Sequence, residues 1–73
     1  LTGIQFKGIR ESFELGVVEW GRVLGYHGNS DTISRVVRRY EGIRCIPLYI
    51  ERLALMYYRH GIPEDFRTQG LER

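Results

Sequence analysis

Cysteine is nearly absent from this chain: Cys45 stands alone among 73 residues, so no internal disulfide can brace the fold. His27 and His60, the two histidines, are too far apart for a zinc-ligand spacing. No long uncharged apolar run occurs, and no basic segment followed by an apolar core opens the chain. That argues against a membrane span and a signal peptide, and makes the cytoplasm the expected location. Repeats, low-complexity tracts and alternating strand patterns are missing too. No nucleophile, paired carboxylates or cofactor motif accompanies the histidines, so no enzyme, metal, cofactor or small-molecule ligand is expected. His27 reads as a turn residue and His60 as a partner for a helix C-terminal dipole.

What is present suits one small folded domain with a thin core. An apolar fraction of 42% and a charged fraction of 27% are ordinary for a globular chain, which excludes global disorder. Cys45 is expected as a small buried or half-buried side chain. The net charge of +2 is mild, but its distribution is uneven. Lys7, Arg10 and Arg22 are balanced by Glu11, Glu14 and Glu19 up to residue 30. Six arginines (Arg35, Arg38, Arg39, Arg44, Arg52, Arg59) then face only Asp31, Glu41 and Glu51 before residue 61.

The centre of that basic excess is the stretch from Asn29 to Glu41. Ser30 or Asp31 offers an N-cap oxygen, and helical periodicity follows at once, predicting a helix over about 31–41. Ile33, Val36, Val37 and Tyr40 fall on one side, while Ser34, Arg35, Arg38 and Arg39 spread over the other, with Thr32 at the edge. A helix with one apolar face and three arginines plus hydroxyls opposite suits the major groove of double-stranded DNA, where guanidinium forks match guanine acceptors and phosphates.

Three further helices are predicted. Thr2 and Gln5 have capping-box spacing before Phe6, Ile9 and Phe13, giving a helix over about 3–13 with Lys7 and Arg10 on its outer side. After a break at Leu15 and Gly16, a short apolar helix over about 17–24 closes at Gly25, with Trp20 and Leu24 facing the core. Gly21, in its middle, predicts close approach of the arginine-bearing helix. Pro47 opens the last helix, about 47–60, and Gly61 and Pro63 stop it. Ile50, Leu53 and Tyr57 form one stripe of this helix, whereas Leu48, Leu55 and Tyr58 cluster on another side. A short turn at Pro63 to Phe66 and a frayed tail over 67–73 complete one domain, residues 1–66.

The run from Arg10 to Gly25, then Thr32, Ile33, Ser34, Arg35, then Arg39, Tyr40, Glu41, Gly42, resembles the lambda-repressor-like helix-turn-helix family, also called the XRE family. The resemblance covers about residues 2–60 and is most specific at Glu19 to Gly25 and at Thr32 to Arg35. It implies an all-α domain of four to five helices that acts as a transcription regulator, a phage-type or bacterial repressor that occupies an operator. Val17 stands where the family commonly has a phosphate-touching glutamine, so that contact is either absent or moved to the N–H groups opening the second helix. The turn before Ile33 is about two residues longer than usual, and about three extra residues follow Arg35.

The base-contacting set is therefore Thr32, Ser34 and Arg35 by resemblance, with Asn29, Ser30, Arg38 and Arg39 from the helical wheel. Lys7, Arg22 and Arg44 are the expected phosphate contacts. Asp31 reads as a cap before a cytosine contact, and Glu41 as a group that orients an arginine or the following loop. Leu48, Leu55 and Tyr58, more apolar surface than a small core takes, are the expected homodimer interface, with half-site centres about 10 base pairs apart, or a multiple of that, on an inverted repeat. A protein-interaction module of the same fold, with no specific DNA site, is the alternative.

Overall fold

Thr2 opens the first helix by a reciprocal cap: its Oγ1 accepts from the Gln5 N–H at 3.1 Å, and Gln5 Oε1 accepts from the Thr2 N–H at 2.9 Å. The computed structural model describes residues 1–42 and 45–66. Its helices are α1 (Gly3–Ser12), α2 (Val17–Val23), α3 (Ser30–Glu41) and α4 (Leu48–His60), followed by one helical turn over 64–66. The fold is all-α, with no strand among the described residues. Ile43, Arg44 and the expected tail over 67–73 lie outside them.

The breaks between helices are made by backbone geometry. At the end of α1 the chain turns through Glu14, whose φ of 58° is the left-handed conformation usually left to glycine, and the N–H of Leu15 reaches back to Arg10 O at 3.4 Å. The first break therefore falls at Glu14, ahead of the Leu15 and Gly16 position read from periodicity, and Phe13 caps α1 instead of belonging to it. Gly25, with φ 103°, closes α2 as expected: its N–H donates to Arg22 O and that of Tyr26 to Gly21 O, both at 3.0 Å. Leu24 is thus a cap outside the helix proper. Pro47 likewise caps α4 from one position before its first turn, and Gly61 ends that helix at φ 87°.

The core is built on Phe6, Trp20, Ile33, Val37, Ile50, Ala54 and Tyr57, all almost fully buried. Trp20 is its hub. Its ring meets Phe6 at 5.6 Å and Tyr57 at 6.3 Å between centroids, and Phe13 stacks on it at 6.5 Å. The Tyr57 hydroxyl donates to Val23 O at 2.9 Å, so α4 is tied to the end of α2 from inside the core. Ile50 and Tyr57 follow the expected stripe, with Leu53 half-buried and Ala54 taking the deepest place.

Two glycines let helices meet. A Cβ built on Gly21 would collide with Ile33 Cγ2 and come within 3.1 Å of Val37 Cγ2, so α3 lies directly on α2 there, as its mid-helix position foretold. Gly3 has the same role unannounced: a Cβ would stand 2.6 Å from Glu41 O, because the start of α1 abuts the last carbonyls of α3.

Two further expectations are corrected. Arg10 is not on the outer side of α1: its Nε donates to Glu41 Oε2 at 2.7 Å and its Nη1 to Leu15 O at 2.9 Å, half-buried between α1 and α3. Glu41 does orient an arginine, and this is the one. Cys45 is exposed, since it sits in the irregular approach to α4 beyond the packed faces. Among the described residues no helix is long and apolar enough to cross a membrane.

Candidate nucleic-acid interface

The cap of α3 is Asn29, whose Oδ1 accepts from the Asp31 N–H at 2.7 Å, and neither Ser30 nor Asp31 has that role. Asn29 alone has the extended backbone a cap needs (φ −68°, ψ 135°), whereas Ser30 and Asp31 are already helical. Capping occupies the Asn29 oxygen but leaves its amide N–H₂ free to donate. It also frees the Asp31 side chain, which stands exposed in the first turn.

With Ile33 and Val37 locked against Gly21, the opposite face of α3 must point away from the domain. At 100° per residue Arg38, Arg35 and Arg39 lie about 140°, 200° and 240° around the helix from Ile33. All three are exposed, and none pairs with another described residue. Asp31, at about 160°, shares the strip one turn before Arg35. Thr32 and Ser30 are exposed at the same end, whereas Ser34 is half-buried on the flank leading to Glu41. The structure therefore gathers six of the seven expected base-contacting residues on exposed surface at the start and outer side of α3, with Ser34 at its edge.

The expected phosphate contacts divide. Lys7 is exposed on α1. Arg22 is half-buried, and its Nη2 donates to Gly28 O at 3.2 Å, bracing the connection between α2 and α3 and leaving only part of the guanidinium for another partner. Arg44 lies outside the described residues. The idea that the N–H groups opening α2 receive a phosphate is not supported, because the Glu19 carboxylate accepts from the Gly16 N–H at 2.9 Å and puts negative charge there.

Sequence reasoning missed what aims this face. The connection between α2 and α3, residues 24–29, turns through Gly25 and Gly28, both at left-handed φ (103° and 102°). Tyr26 in that connection and Tyr40 on α3 share a hydrogen bond of 2.8 Å between hydroxyls. Burial, then that bond, holds the Tyr26 hydroxyl far above the usual tyrosine range. The signal was only that Tyr40 lies on the core side of the α3 wheel. The Arg10–Glu41 pair secures the same C-terminal end of α3 from α1.

Elsewhere the chemistry is sparse. His27 is exposed in the connection and His60 exposed in the last turn of α4. No group of three or more His, Cys, Asp or Glu side chains that could hold a metal ion occurs among the described residues. No protein-family model matches the chain, and no curated protein or solved structure is significantly similar to it. What stands is a small all-α domain in which one helix is held by its inner face and its C-terminal end, while its outer face carries three arginines with no partner among the described residues.

Proposed function

We propose that the chain is a sequence-specific double-stranded DNA-binding protein of the lambda-repressor-like helix-turn-helix type, a transcription regulator that works by occupying its operator. The observation that carries this reading is the outer face of α3, where Arg35, Arg38 and Arg39 are exposed without an acidic partner among the described residues. Unpaired guanidinium groups on a helix held by its inner face keep their donors for guanine O6 and N7 and for phosphates. A helix held in this way loses little conformational freedom on binding. Asp31, freed from capping, is positioned on the same strip to accept from a cytosine amino group, which makes it a specificity residue in this reading. No catalytic step is needed.

Selection from a random duplex library, followed by titration at two salt concentrations, tests the proposal. The expected result is an enriched motif retained far more tightly than the starting pool, with affinity falling steeply as salt rises. Equal retention of all sequences, or none, overturns it.

A further inference from the structure

A groove of about 430 Å³ runs between α1 and α4, with Ile9 and Leu55 in its wall, Tyr58 on its rim and Gly8 leaving it open on the α1 side. No described residue beyond its own turn of helix lies within 4 Å of where a Gly8 side chain would begin, so no packing among them requires a glycine there. Around the groove the monomer leaves large apolar groups in water: Ile4 is 83% exposed on α1, and Leu48 and Tyr58 are 58% and 61% exposed on α4. Charges flank them on both helices, Lys7 and Glu11 on α1 and Arg52 and Arg59 on α4. On the outer strip of α1 Ile4 and Gly8 are followed by Glu11, whereas on that of α4 Leu48 and Leu55 alternate with Arg52 and Arg59. Neither Glu11 nor those two arginines pairs with another described residue.

We propose that this face receives a second copy of the chain, with α1 of each protomer lying over α4 of the other. Glu11 on the α1 strip and Arg52 and Arg59 on the α4 strip, side by side on one surface, are self-complementary under a two-fold axis running along the groove, because that rotation carries each strip onto the other. A foreign acidic helix would answer the arginines and leave Glu11 facing like charge; a second copy answers both. The heights agree. The Leu1 nitrogen donates to Glu51 Oε1 at 2.8 Å near one end of the two helices, and Ser12 and Tyr58 line the same groove near the other. Glu11 of one protomer thus comes level with Arg59 of the other, and Ile4 with the apolar start of α4. The face uses Leu48, Leu55 and Tyr58 together with Ile4, Gly8 and Glu11 of α1, and it is independent of whether α3 binds DNA.

Sedimentation equilibrium of the chain without DNA is the test. The wild type is expected to dimerise, and Ile4→Glu, at a site too exposed to matter for folding, to be monomeric. Glu11→Arg and Arg59→Glu should each weaken the dimer about tenfold or more, since symmetry places every reversal at two contacts, while Glu11→Arg/Arg59→Glu should return to within about threefold of the wild type. Melting curves of the variants at monomeric concentrations should match the wild type. A wild-type monomer at all concentrations overturns the proposal, as does a dimer indifferent to Ile4→Glu or a double reversal no tighter than the singles.

Discussion

Arg10 Nε lies 2.7 Å from Glu41 Oε2, so a cation near the end of α1 and an anion at the last residue of α3 form a pair across 31 positions of sequence. Their side chains are only 14% and 9% exposed. At that depth a charge whose partner is removed stays poorly solvated, which makes single deletions costly. Arg10→Met should destabilise the fold by about 2 to 4 kcal/mol, and Arg10→Met/Glu41→Leu by less than Arg10→Met alone. Urea titration of both variants checks the order; a double variant worse than the single would mean the pair contributes more than it costs to bury.

The same substitution should have opposite signs at two helical glycines. Gly21→Ala drives a methyl into Ile33 Cγ2 and should cost about 1 to 3 kcal/mol even though alanine is the better helix former. Gly8→Ala meets nothing and should gain up to about 1 kcal/mol. Thermal melting at monomeric concentrations reads both.

Alkaline pH should unfold the protein through its buried tyrosines. Burial raises the Tyr57 hydroxyl above its ordinary value near 10, and Tyr26 is raised further by burial and its bond to Tyr40. Below pH about 10 the folded and unfolded chains both keep these protons, so stability does not depend on them. Above it the unfolded chain loses them first, which favours unfolding as pH rises. Tyr57→Phe should cost about 1 kcal/mol near neutral pH by leaving Val23 O without its donor, and should flatten the alkaline fall. Denaturant midpoints measured between pH 7 and about 11 give both quantities.

On the proposed DNA site, Arg35→Ala and Arg38→Ala should each weaken specific binding by about 1 to 3 kcal/mol and relax preference at one base pair. Lys7→Ala should weaken all sequences alike and reduce the salt slope by about one. Titration against single-base variants at two salt concentrations separates the two behaviours. A uniform loss for Arg35→Ala reassigns that residue to the phosphate backbone.

The helices were legible in the sequence because what starts and stops them is local. Thr2 and Gln5 bond across three positions, Gly25 and Gly61 supply left-handed turns at helix ends, and the spacing of Ile33 and Val37 marks the buried side of α3. Knowing the buried side also exposed Arg35, Arg38 and Arg39, and Gly21 told which helix would lie against it. Sequence offered Ser30 or Asp31 as the cap and passed over Asn29, whose oxygen is equally suitable; only backbone direction chose Asn29 and released Asp31 to the outer face. Arg10, equally plausible as a solvent-facing charge, became a buried partner of Glu41 because the start of α1 abuts the end of α3 at Gly3. Spacing encodes which residues share a face of one helix, whereas which faces meet depends on packing every helix at once, and beyond the α2–α3 contact at Gly21 only the tertiary structure decided that.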